Sequence, residues 1–218
     1  PAIHRAGLTG VHDMDAGQAL QAHQLLRGRN QPTLRVVKSI PVDRLDATIA
    51  PGVRSGFGDD WLRIGHVKIF ADGALGPRTA YMLAGYDSAP GITGIAVTPV
   101  EAITEAVHKA NTAGLACAVH AIGDRAVDQV LTAYEKVIKK GNPNSRRHRI
   151  EHAGIVNPGL LQRMADIDLV IGTQPRMLYE QGDGFYRSCG EERMQWVYPY
   201  KAYIEKGLHV AGSSDCPV

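Results

Sequence analysis

Short apolar runs recur along the chain, each closed by a turn and most followed by apolar residues spaced three and four apart. The runs are GLTGVHDM (7–14), LRVVKSI (34–40), HVKIFADG (66–73), LACAVHAIG (115–123), RHRIEHAG (147–154), DLVIGTQP (168–175) and LHVAGSSD (208–215). In GHVKIFADGAL (65–75), Val67, Ile69 and Ala71 alternate with His66, Lys68 and Phe70 before an Asp-Gly turn, the period of a β-strand. The stretches 15–26, 99–113, 124–139, 157–165 and 191–206 have the spacing of amphipathic helices. Thr98-Pro99 with Glu101 behind it, and Asn157-Pro158, are helix start signals.

Seven strands alternating with helices predict parallel β/α units, in a doubly wound open sheet or a (β/α)8 barrel. Asp13, Asp72, His120, His152, Gln174 and Asp215 stand at the carboxyl ends of different strands. A doubly wound sheet concentrates its ligands at one switch point, whereas a barrel gathers every strand end around one mouth. No GxGxxG or GxxxxGK[ST] follows a strand, which disfavours nucleotide binding. The expectation is therefore α/β: an incomplete (β/α)8 TIM barrel, one strand short of eight, forming a single domain over 1–218. Segments 43–61, 76–98 and 176–190 are longer than ordinary connections and read as loops over the mouth.

Composition narrows the partners. The 218 residues carry a formal net charge of +2 with both signs interspersed, so nothing calls for nucleic acid, a membrane surface or a polyanionic substrate. Cys117, Cys189 and Cys216 form no CxxC pair, which argues against a disulfide framework or a thiolate zinc site and for a reducing, cytoplasmic compartment. No apolar run approaches the ~20 residues of a transmembrane helix, and no signal segment opens the chain. The chain starts on Pro1 and ends at Val218 just after a strand-like run, and so reads as a piece of a longer polypeptide.

By alternation Ala116, Ala118 and His120 share one face, as do His148, Ile150 and His152, which would send the imidazoles of His120 and His152 into the mouth from neighbouring strands. Asp215 lies two units further on. Imidazole nitrogen with carboxylate oxygen suits Zn2+ or a similar divalent ion, while hydrogen-bonded structural histidines are the competing reading. His4, His23, His108 and His209 have no such company and read as surface or core; His12, beside Asp13, fits either. Lys68 is the oddity, since a metal-lined mouth would repel an ammonium. It is either salt-bridged to Asp72 or another acid, or converted by carbon dioxide to an anionic carbamate able to bridge metals.

VKIFADGALGPRTA, HAIGDRAVD, RHRIEHA and SSDCPV, in this order, resemble the amidohydrolase superfamily, in particular amidohydrolase family 3 and its branch of N-substituted formamide deformylases. The resemblance implies a distorted (β/α)8 barrel, usually with a small β-sandwich built from both chain ends. It implies metal ligands from an HxH on strand 1, a frequently carboxylated lysine on strand 4, histidines on strands 5 and 6 and an aspartate on strand 8. Carried over, these are Lys68, His120, His152 and Asp215, with Asp215 also the catalytic proton acceptor and one or two divalent ions, most simply Zn2+, as cofactor. Arg78, Asp72, Asp124 and Gln174 are candidate substrate contacts or mouth residues. The implied activity is hydrolysis of a small amide or formamide C–N bond by metal-activated water.

The departure from the pattern is the HxH, which occurs nowhere in the sequence. With strand 1 and the small sandwich missing, this chain alone is expected to bind metal poorly and to be inactive. Esterase, lactonase or deaminase chemistry would use the same ligands. A non-catalytic scaffold, with the open barrel edge pairing copies into a homo-oligomer, is the alternative of another class.

Overall fold

The computed structural model describes residues 2–15, 18–29 and 34–216. All seven apolar runs form strands: β1 Gly10–Asp13, β2 Arg35–Pro41, β3 Leu62–Phe70, β4 Ala116–Ala121, β5 Arg149–His152, β6 Val170–Thr173 and β7 His209–Gly212, ordered as in the chain. The helices are α1 Ala2–Arg5, α2 Ala19–Gly28, α3 Leu45–Ile49, α4 Val100–Thr112, α5 Asp124–Tyr134, α6 Pro158–Asp166, α7 Pro175–Met194 and α8 Tyr200–Glu205. Among the described residues no helix is long and apolar enough to cross a membrane. The chain packs as two compact units, Pro1–Lys68 with Lys109–Cys117, and Ile69–His108 with Ala118–Val218.

In the first unit β1 and β2 pair in parallel from Gly10↔Arg35 to Asp13↔Lys38, and β2 pairs with β3 through a register shift between Lys38 and Ile40. Lys38 is 2% exposed. A buried ammonium is tolerable only when paired and hydrogen-bonded. Its Nζ donates to Asp13 Oδ1 at 2.9 Å and to the carbonyls of Asp13 and Asp15, while His23 Nε2 lies 2.6 Å from Asp13 Oδ2. Burial pushes the Asp13 carboxyl up, but hydrogen bonds from Lys38, His23 and the Asp15 amide prevail and hold it below the usual range.

In the second unit β4, β5, β6 and β7 pair in parallel, with His120↔Glu151, Ile150↔Ile171 and Gly172↔Ala211 in register. Asn157 caps α6 by accepting from the Leu160 amide at 2.9 Å, with Pro158 in the first turn, as its sequence signal predicts. Segment 76–98 is irregular yet deeply packed. Leu75, Ala80, Met82 and Tyr86 join Ile122, Ile155, Phe185, Cys189, Val197 and Tyr198 in one apolar cluster. Each large side chain buried there contributes about 1.5–3 kcal/mol. The Tyr86 hydroxyl, donating to the Ala80 carbonyl at 2.8 Å, folds the segment onto itself.

Three expected elements differ. Segment 43–61 is not all loop, since α3 lies within it. Segment 176–190 is not a loop but most of α7, broken only at Gly190, whose φ of 75° and ψ of 169° leave the helical region. Glycines at 182 and 184 disguise it, each costing about 1 kcal/mol against alanine in a helix. Pro175 in the first turn, an Arg176–Glu180 ion pair, and Phe185 and Cys189 buried four residues apart outweigh them. The helix expected over 191–206 divides instead into the end of α7 and α8. Pro199 supplies no N–H and biases Tyr198 away from right-handed helix; Tyr198 takes a φ of 47°.

Candidate metal and catalytic site

The second unit brings His120, His152, Gln174 and Asp215 together, with Asp72 beside them. The register sets Glu151 on the same side of the sheet as His120, and Gly172 makes room for it: a Cβ there would lie 2.4 Å from Glu151 Oε2. Glu151 is held instead by Arg149, Nε to Oε1 2.5 Å. On the opposite side His148 packs against Tyr134 of α5, ring centroids 5.3 Å apart. Strict alternation would therefore turn His152 away from His120. The rings nevertheless meet edge-on, with centroids 4.5 Å apart. The backbone explains this: His152 has a φ of 74° and Ala153 one of 48°, so the side chain leaves the strand's alternation. The expectation that His148, Ile150 and His152 share the mouth face is corrected accordingly.

Left-handed backbone at non-glycine residues is uncommon, costs on the order of 1–3 kcal/mol, and persists where surrounding contacts impose it. Here the Tyr203 hydroxyl donates to the Ala153 carbonyl at 2.5 Å, and the Tyr198 amide donates to the Gly154 carbonyl at 2.7 Å. Tyr203 is fully buried. Asp215, at the other side of the cluster, also has a positive φ, 56°.

Each imidazole has one nitrogen against a protein acceptor. His120 Nε2 lies 2.9 Å from the Gly73 carbonyl; a carbonyl only accepts, so that nitrogen bears a hydrogen, and in the neutral ring Nδ1 bears the lone pair. His152 Nδ1 lies 2.7 Å from Gln174 Oε1, so Nδ1 bears a hydrogen, and in the neutral ring Nε2 bears the lone pair. That Nε2 lies 4.0 Å from Asp215 Oδ2, whose side chain is 38% exposed. The exposed Phe70 ring stands 5.2 Å from that of His120.

Asp72 is buried and accepts from the amides of Tyr81 (2.8 Å), Ile122 (3.0 Å) and Gly123 (2.8 Å), with His120 Nε2 3.5 Å from Oδ1. Burial pushes its carboxyl up to about 6 against those three hydrogen bonds. It anchors the start of α5 to segment 76–98. At Gly123 any Cβ would sit 2.0 Å from the Tyr81 carbonyl, so only glycine permits that approach. Asp124 accepts from the Leu83 amide at 2.7 Å and from that of Arg125 at 2.9 Å, and burial raises its carboxyl too. Arg78 is exposed in segment 76–98 with a φ of 58°. Lys68 belongs to the first unit, 7% exposed in β3.

Among the described residues no group of three His, Cys, Asp or Glu side chains could hold a metal ion by itself. The donor chemistry nonetheless suits a divalent ion. Each histidine sets one ring nitrogen on a carbonyl oxygen, an arrangement common to metal-ligating histidines, and in the neutral form would offer the other nitrogen to an ion. The 4.0 Å from His152 Nε2 to Asp215 Oδ2 is longer than the roughly 3.3 Å between two ligands sharing a tetrahedral ion at about 2.0–2.1 Å, so the two would have to draw together to share one. Sequence reasoning missed Lys38, Phe70, Glu151, Tyr203 and Ser213. Lys38 alone carried a usable signal, a lysine inside the apolar run LRVVKSI.

Comparison with known proteins adds to this geometry. A family model described as the amidohydrolase family matches residues 2–218. The Bacillus subtilis (strain 168) protein YtcJ, named as an amidohydrolase, is 36% identical over 158 residues, covering 72% of this chain and 29% of that protein. The N-substituted formamide deformylase of Arthrobacter pascens is 29% identical over 158 residues, covering 72% of this chain and 28% of that protein. The crystal structure of an uncharacterized metal-dependent hydrolase from Pyrococcus furiosus superposes with a TM-score of 0.90 at 31% identity, over 99% of this chain and 44% of that one. The seven parallel strands thus belong to an incomplete (β/α)8 barrel of the metal-dependent hydrolase type. The chain spans less than a third of either curated relative.

Proposed function

Because the chain belongs to the amidohydrolase family, we propose that it contributes to a metal-assisted hydrolase site that cleaves a C–N bond of a small amide or formamide. The observation that carries this reading is the strained His152 turn, which sets an imidazole with its Nε2 lone pair opposite the exposed carboxylate of Asp215.

His120 through Nδ1, His152 through Nε2 and Asp215 are the residues that would hold the ion. Lys68 joins them through its motif, as a carbamate; the support for it is sequence and burial, not a distance. A bound divalent ion, most simply Zn2+, supplies a water ionised near neutral pH and an electrophile for the carbonyl oxygen. Asp215 takes the proton of the attacking water on its carboxylate and delivers it to the leaving nitrogen. Its exposure suits that exchange; Asp72, sealed by three amides, instead keeps the strand ends and the start of α5 in place. Phe70, beside His120, offers an apolar wall to the substrate.

The test is a screen of N-formyl and N-acyl amines with the full-length natural protein, before and after chelation, with metal content compared in Lys68→Ala. Chelator-sensitive amide hydrolysis and metal loss in the variant are expected. Unchanged metal content in Lys68→Ala removes the lysine from the site, and turnover only of esters overturns the C–N assignment.

A further inference from the structure

We infer that Gln174 is a positioning residue that sets the tautomer of His152, not a contact for substrate. The inference rests on the reading of His152 as a metal ligand only for its consequence; the tautomer itself is argued from the contact between His152 Nδ1 and Gln174 Oε1.

Gln174 follows β6 and precedes α7 in extended backbone, with a φ of −125° and a ψ of 91°, and Pro175 begins the helix. It is 2% exposed, so little of its amide is presented to a substrate. Both ends of that amide are engaged: Oε1 at 2.7 Å from His152 Nδ1, and Nε2 donating to Ser213 Oγ at 3.0 Å. Ser213 is in turn fixed by its own amide, which donates to the Thr173 carbonyl at 2.9 Å, and it lies two residues before Asp215. One side chain therefore ties β5, the end of β6 and the segment bearing Asp215 into a single hydrogen-bonded chain.

Neutral imidazole has one hydrogen and two places for it. With Oε1 as acceptor, the hydrogen rests on Nδ1, and Nε2 presents a lone pair toward Asp215. Were the amide reversed, its NH2 would face Nδ1, the hydrogen would move to Nε2, and the imidazole could no longer ligate through that atom. Asp215, 4.0 Å from Nε2, lies beyond hydrogen-bond reach and does not compete for the hydrogen. Groups that orient a ligating histidine in this way change metal affinity about 10–100-fold when removed.

The experiment uses the full-length natural protein, labelled with 15N-histidine and stripped of metal. Long-range 1H–15N spectra of His152 are expected to show hydrogen on Nδ1 in the wild type and in Gln174→Glu, which keeps the acceptor oxygen. In Gln174→Met the hydrogen is expected to shift toward Nε2, and Zn2+ affinity to fall about 10–100-fold. Hydrogen on Nε2 in the wild type overturns the inference without any variant, as does an unchanged tautomer in a folded Gln174→Met. Zn2+ affinity untouched by His152→Ala, with the tautomer still obeying Gln174, would remove the metal reading and leave the positioning role standing.

Discussion

Lys38 in the first unit and His152 in the second are both buried polar groups on strands, yet their surroundings are built differently. Around Lys38 the charges close on themselves: ammonium, carboxylate, two carbonyls and His23 satisfy one another. Around His152 the backbone is left-handed at three non-glycine positions, His152, Ala153 and Asp215, and buried tyrosine and glutamine side chains hold it there. The first arrangement neutralises a buried charge and offers nothing to a ligand. The second accepts strain to aim a lone pair beside an exposed acid, and that asymmetry is what separates a candidate site from structure.

The largest effect is expected around Lys38. Asp13→Ala leaves Lys38 charged in a buried position, and urea unfolding is expected to register a loss of about 3–5 kcal/mol. A loss near zero would mean that the ammonium reaches water.

His148, on β5 with His152 but facing Tyr134, sharpens the contrast. Burial, with Arg146 adding to it, pushes its imidazole down from 6.5 to about 4. The unfolded chain therefore binds more protons between those values, so this contribution is complete above pH 6.5 and is lost as pH falls toward 4, to the extent of about 3 kcal/mol. His148→Phe is expected to remove that part of the acid sensitivity in melting temperature measured across the range. An identical pH profile in the variant would show the imidazole to be solvated.

The smallest effect is on the open side. Tyr203→Phe deletes the hydroxyl that holds the Ala153 carbonyl and is expected to cost about 1–2 kcal/mol in thermal or chemical unfolding. A variant as stable as the parent would mean that the turn needs no such clamp.

Much of this was legible in the sequence, for reasons visible in particular residues. Short apolar runs closed by turns located all seven strands, because parallel strands largely buried on both faces read as near-continuous apolar runs, and alternation set the faces expected within them. The same alternation failed at His152, where one left-handed residue changes the face and no local pattern announces it. Glycines concealed α7, whose stability comes from Phe185 and Cys189 packing on distant residues rather than from propensity. Gln174 could be placed at a strand end, but its engagement of both His152 and Ser213 depends on pairings between β5, β6 and β7 that only the fold supplies.

If the His152 turn serves to hold a divalent ion with Asp215, elemental analysis of the full-length natural protein and its His152→Ala variant, after dialysis into metal-free buffer, will separate the two. The variant, folded by circular dichroism, is expected to lose most of its bound metal. Equal metal content in the two proteins would contradict it.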